Sequence, residues 1–116
     1  MLDHLEAIAD KNAFERDVLQ APMPVLVDFY AVGCEDSREL APIISRLAED
    51  WGDSIRFVSV DVDQAAELKE QYGVETTPTV IVFRDGEPVK RWENVKLSLE
   101  YMEFLDRQIL EEEQEL

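Results

Sequence analysis

Pro24 opens the segment that most limits how this chain can fold: Val25-Leu26-Val27-Asp28-Phe29-Tyr30, a nearly continuous apolar run of strand length. A strand wetted on one face alternates apolar and polar side chains, whereas one covered on both faces reads as an almost unbroken apolar run. This segment therefore belongs inside a sheet that has a layer on each side. Asp28, the one charge within it, should be buried.

The flanking sequence supplies those layers. Leu5 to Ala9 reads as a short first strand, and Asp10 can cap a helix running to about Gln20, with Phe14, Val18 and Leu19 on its apolar side. A second helix is expected from near Cys34 to Asp50, with Leu40, Ile43, Ile44, Leu47 and Trp51 inward and Pro42 kinking it. Ile55 to Val60 is the next strand, and Ala65 to Tyr72 a short helix ended by Gly73. Val80 to Phe83, the Asp85-Gly86 turn and Val89 to Trp92 form a hairpin pattern, and a last helix from about Ser98 to Leu110 turns Tyr101, Phe104, Leu105 and Ile109 inward. The order β-α-β-α-β-α-β-β-α predicts an α/β fold with a central mixed five-stranded sheet flanked by four helices.

A chain of 116 residues, 46% hydrophobic, is long enough for one core and too short for two, so residues 1–116 are expected to form a single domain. Residues 111–116, Glu-Glu-Glu-Gln-Glu-Leu, read as an acidic tail. The 27 acidic against 11 basic side chains leave a net charge of −16, which repels phosphate backbones and anionic lipid heads. Nucleic acid and membrane are thus excluded as partners, and a basic partner is favoured. Cys34 is the single cysteine, so no internal disulfide can form; the N-terminus has neither a basic segment nor an apolar run, so no signal peptide is expected. Together these point to the reducing cytosol.

From Val25 to Pro42 a recognisable pattern emerges: Val-Leu-Val-Asp-Phe-Tyr-Ala, then Cys34-Glu35-Asp36-Ser37, then Arg38, Ala41 and Pro42. It continues at Val60-Asp61-Val62-Asp63, Tyr72-Gly73-Val74, Thr76-Thr77-Pro78-Thr79 and Phe83-Arg84-Asp85-Gly86-Glu87. In order and spacing these motifs resemble the thioredoxin family over roughly residues 4–110, and the resemblance implies the thioredoxin fold. The family's Trp-Cys-Gly-Pro-Cys-Lys is altered at three places: Gly33 stands for the tryptophan, Glu35-Asp36 for Gly-Pro, and Ser37 for the second cysteine. A dithiol reductase attacks a disulfide with one thiolate and resolves the mixed disulfide with a neighbouring thiol. Ser37 can donate a hydrogen bond to a thiolate but cannot resolve a disulfide. Self-sufficient dithiol reduction is excluded by chemistry.

Cys34 falls at a helix start just after a central strand, where backbone N–H groups and the helix dipole favour a thiolate. Glu35 and Asp36 oppose it, Arg38 partly offsets them, and the expected pKa lies near the ordinary thiol value. The alternative is a cysteine kept as a small hydrophobe. Glu35 and Asp36 either complement the helix dipole or select a basic substrate. The resemblance implies a cis peptide before Pro78, in a loop lying against Cys34, and a groove around Gly33, Thr77, Pro78, Asn94 and Val95. It also implies that Asp28 served as proton acceptor for the second cysteine; with Ser37 present, and Ser59 where a basic residue usually accompanies that Asp, Asp28 is either catalytic or a structural remnant. His4, the only histidine, is expected to lie far from Cys34. No metal-ligand cluster, Gly-rich phosphate loop or other cofactor motif is present in the sequence, and Arg38 is too close to Cys34 for a phosphatase loop. The Asp-Phe-Tyr-Ala strand sets the chain apart from single-thiol glutaredoxins that hold iron–sulfur clusters.

Two functions follow. One is a monothiol redox protein in which Cys34 forms a mixed disulfide with a partner protein, released by an external thiol such as glutathione. The other is a non-catalytic adaptor or chaperone that binds a basic extended peptide beside Pro78.

Overall fold

Val25–Tyr30 is a strand whose first five residues are all buried, and the other elements are arranged about it. The computed structural model describes residues 5–93 and 100–107. In chain order its strands are β1 (Glu6–Ala7), β2 (Val25–Tyr30), β3 (Arg56–Asp61), β4 (Thr79–Arg84) and β5 (Glu87–Trp92). They form one sheet in the order β1-β3-β2-β4-β5. β3 is parallel to both β1 and β2, while β4 is antiparallel to β2 and β5, so the sheet is mixed. β1 is only two residues long, shorter than the expected Leu5 to Ala9.

Successive residues of a strand point to opposite faces, and β2 shows why both faces had to be apolar. Val25, Val27 and Phe29 join Phe14, Val18 and Leu68 in one cluster. Leu26 points the other way, into a second cluster with Leu40, Ile44, Leu47, Tyr101 and Leu105. The first cluster is covered by α1 (Lys11–Phe14), which continues as a π-helical turn at Glu15–Leu19, and by α3 (Ala66–Gln71). The second is covered by α2 (Glu35–Trp51) and by a fourth helix over residues 100–107. Asp10 caps α1 as its sequence suggested, its carboxylate accepting from the Ala13 N–H at 2.8 Å. The widened turn after it is a departure from the single regular helix expected to Gln20. α2 runs unbroken through Pro42, which cannot supply the N–H that the Arg38 carbonyl would otherwise receive.

The Asp85-Gly86 turn between β4 and β5 has φ of +54° and +80°, the twisted two-residue turn that suits a hairpin. Gly86 is required twice over, because a Cβ there would also lie 3.0 Å from the Leu19 carbonyl oxygen. Arg91 of β5 reaches across to the end of α3 and donates to the carbonyls of Tyr72 and Gly73 at 2.6 and 2.8 Å. It thereby satisfies acceptors that a helix end leaves free. His4, the acidic tail and Ile109 lie outside the described residues.

Phe14 anchors the first layer, with ring centroids 6.5 Å from Phe29, 5.3 Å from Tyr72 and 5.5 Å from Phe83. Truncating a fully buried Phe forfeits its burial and leaves a cavity, at a cost of about 3–5 kcal/mol. Phe14→Ala should lower the urea midpoint accordingly, and an unchanged midpoint would show that α1 is not held by this packing.

Candidate functional site

β2 and β4 are neighbours, with Phe29 opposite Thr79, so whatever follows β2 lies beside whatever precedes β4. After Tyr30 the chain turns through Ala31, Val32 and Gly33 into α2. Before Thr79 runs the Thr76-Thr77-Pro78 loop, whose Thr77–Pro78 peptide is cis. The Thr79 hydroxyl donates to the Thr76 carbonyl at 2.7 Å and ties this loop to the start of β4. Pro78 is buried and Thr77 half-buried.

Cys34 sits at the N-cap of α2 in extended conformation, half-buried, and its thiol donates to the Thr77 carbonyl at 3.3 Å. That contact favours the protonated thiol. The groups that favour the thiolate outweigh it: the Thr77 side chain first, then the Ser37 side chain and backbone N–H, with the Asp36 N–H adding to them. Partial burial works in the opposite direction, and the net result lies below the ordinary value of 9.0. Opposition from the Glu35 and Asp36 carboxylates does not figure among these causes. Both side chains are exposed in the first turn of α2, where solvent screens them and the helix dipole accommodates them.

Ser37 is only 4% exposed, and its hydroxyl accepts from the Ala31 N–H at 3.3 Å. That bond fastens the turn between β2 and α2. Gly33 is exposed, and a Cβ built there would meet nothing within 4 Å. Its lack of a side chain is therefore not demanded by packing, and it leaves the surface beside Cys34 open.

Asp28 lies on the α2 face of β2, 5% exposed, and its Oδ1 has no hydrogen-bond partner among the described residues. Burial pushes its carboxyl up to about 7. Ser59 of β3 is its register partner, so the neighbouring strand offers a hydroxyl and no cation. A cavity of about 360 Å³ opens beside it, between β2, β3 and α2, with Ser37, Ile44, Ser45 and Ser59 among its walls.

The comparisons with known proteins agree with this geometry. The thioredoxin family model matches residues 5–107. Thioredoxin 1 of Synechococcus elongatus is 37% identical over 83 residues, covering 72% of this chain and 77% of its own length. Thioredoxin of Rickettsia bellii is 38% identical over 80 residues, covering 69% and 75% respectively. The chain belongs to the thioredoxin family. A thioredoxin structure from Malassezia sympodialis superposes with a TM-score of 0.82 at 19% identity, over 92% of each chain, and supports the fold.

Within this thioredoxin-family scaffold the structure brings together Cys34, Ser37, Thr77 and Pro78, with Gly33, Glu35 and Asp36 on the adjoining surface. Asp28 lines the same cavity as Ser37. Asn94 and Val95 lie outside the described residues. Ser45 was missed, although the 37–41–45 spacing places it on the same helix face as Ser37. No group of His, Cys, Asp and Glu that could hold a metal ion occurs among the described residues, and none of their helices is long and apolar enough to cross a membrane.

Asp28 makes a prediction about pH. In the unfolded chain it ionises near 3.8, whereas in the folded protein it keeps its proton to about 7. Between those values the folded state binds the extra proton, so stability falls as pH rises and the loss is complete above about 7. At about 1.36 kcal/mol per pH unit the loss is on the order of 4 kcal/mol. Asp28→Asn should gain a few kcal/mol in urea unfolding at about pH 8, and the gain should fade towards about pH 4. A variant no more stable than the parent at the higher pH would contradict an uncompensated buried carboxylate.

Proposed function

We propose that this thioredoxin-family protein is a monothiol redox protein working on a protein partner in a reducing compartment such as the cytosol. The observation that carries the reading is the Cys34 thiol, held below its ordinary pKa at the start of α2 and set against the Thr77 carbonyl beside the cis Pro78. Cys34, Ser37 and the Thr77-Pro78 loop are the residues assigned to it, with Gly33, Glu35, Asp36, Asn94 and Val95 as the surrounding binding surface.

In the first step the Cys34 thiolate attacks one sulfur of a partner disulfide. A bond forms between Cys34 and that sulfur, and the other partner sulfur leaves as a thiolate and takes a proton. Ser37, hydrogen-bonded to the Cys34 sulfur, helps to hold the attacking charge but contributes no second thiol. An external thiol such as glutathione then attacks the partner sulfur and releases Cys34, and a second equivalent frees the partner as a thiol. Two external thiols are oxidised to one disulfide for each partner disulfide reduced. The dithiol route is closed to this chain alone.

The unaltered protein should therefore show no turnover of a protein disulfide with a thioredoxin reductase, while remaining trappable as a mixed disulfide through Cys34. Ser37→Cys should create turnover, since the position already touches the Cys34 sulfur. Equal turnover in the two proteins would overturn the mechanism.

A second reading, a non-catalytic adaptor for a basic extended peptide, is favoured by the open space at Gly33 and the exposed acidic pair next to it. Both readings expect a basic partner, in keeping with the net charge of −16. Charge complementarity between exposed groups acts mainly on association rate and is screened over about 8–10 Å at ordinary salt. Binding of the trapped partner should slow as salt rises, and changing Glu35 and Asp36 to lysine should slow it further. Association indifferent to both would leave the acidic pair as a solvated helix start.

A further inference from the structure

Asp28 is the one buried carboxyl group among the described residues, and the thiol mechanism leaves it unused. It is 5% exposed, its Oδ1 lacks a partner, and it lines a cavity of about 360 Å³. A buried carboxylate without a hydrogen-bond donor is costly, and a cavity at such an atom is room for one. The cavity has a polar floor and an exposed mouth. Asp28 and Ser37 are buried, the Ser45 and Ser59 hydroxyls stand half-buried on the walls, and Val32 and Arg38 are exposed at the rim. Leu5 and Ile44 supply apolar wall between the two.

We propose that this cavity is a binding site for a primary alkylammonium group, which donates to the Asp28 Oδ1 and the flanking serine hydroxyls while its methylene stem lies along the apolar wall. An ammonium carries three rotatable donors and suits acceptors scattered around a point. A guanidinium presents a flat fork of donors that needs its acceptors in one plane. A neutral alcohol could donate one hydrogen bond but would leave the buried charge uncompensated. Ser59 is what makes room: it is the register partner of Asp28 and is too short to fill the space. The charged and titratable groups facing the site are Tyr30 on β2 itself, Asp61 on β3 and Arg38 on α2. Arg38 is exposed, so its like charge is screened at the mouth. The ammonium could be a lysine side chain of a protein partner or a free amine. The site adjoins the thiol chemistry through Ser37, which forms part of its wall, while Cys34 itself is not among its lining residues.

The test is a titration followed by the amide resonances of residues 28, 44, 45 and 59 at about pH 8, where Asp28 is ionised. Cys34→Ser protein is used so that no disulfide can form. n-Butylammonium should produce saturable shifts at these residues, and n-butanol should not. Asp28→Asn should weaken the binding about tenfold or more, the scale of one charge-assisted hydrogen bond. Ser59→Lys, which places the chain's own ammonium in the cavity, should abolish it. An extended peptide containing lysine, compared with the same peptide carrying Nε-acetyl-lysine, separates the two sources. Shifts from the first peptide alone assign the site to a partner lysine; shifts from butylammonium but from neither peptide assign it to a free amine. If butylammonium and butanol behave alike, or if Asp28→Asn binds butylammonium as well as the parent, the proposal is wrong. Loss of redox activity in Cys34→Ser with retained ammonium binding would show that the two sites fail independently.

Discussion

The burial of β2 on both faces is the constraint from which the rest of the structure follows. A strand with no wet face needs a neighbour on each edge and a layer above and below, and those four demands recruit β3, β4 and the two helical layers. They also determine where function can sit. Tyr30, at the C-terminal end of β2, is its one residue that is not buried, and the helix that follows that end must begin beside the loop that enters β4. Cys34 and Thr77, 43 residues apart in sequence, meet there because of strand order, with no attraction of their own required.

The same strand sets two ionisable groups in opposite conditions within one small region. Cys34 lies past the end of β2, where donors from Thr77, Ser37 and the first turn of α2 surround its sulfur and make the anion easier to form. Asp28 lies inside β2, where desolvation makes the anion harder to form and its Oδ1 finds no compensating donor. Ser37 adjoins both, hydrogen-bonding to the Cys34 sulfur and lining the cavity beside Asp28. A cysteine at position 37 would link the two groups chemically. A serine separates them, which is why the thiol and the carboxylate can be considered as independent sites.

Much of the fold was legible in the sequence because it rests on local signals. The apolar run of β2, the Asp10 cap, the Gly73 stop and the Asp85-Gly86 turn each act over a few residues and each appears where its pattern places it. The misreadings are equally physical. The pattern of Leu5 to Ala9 suggests five strand residues, yet an edge strand extends only as far as its single neighbour offers register, and β3 offers it to Glu6 and Ala7. The π-helical turn at Glu15–Leu19 leaves no mark in the periodicity, since Phe14 and Val18, four residues apart, share one face in a regular helix as well. In the site, the acidic pair was expected to act on Cys34 through its charge; the groups that act are hydrogen-bond donors at short range, including the Asp36 N–H itself.

The sequence by itself determined the chemical inventory: one thiol, a serine where a second thiol would resolve a disulfide, a large acidic excess and a carboxylate inside an apolar strand. These are facts of composition and order, and they limit the reactions open to the chain before it folds. Tertiary structure decided which of these groups share an environment. That the Thr77 loop touches Cys34, that Ser59 and not a cation stands opposite Asp28, and that a cavity opens at its Oδ1 all depend on strand register and helix placement. Register is a property of two segments at once, and hydrogen bonding and desolvation fall off within a few ångströms. Neither can be read from a segment taken alone.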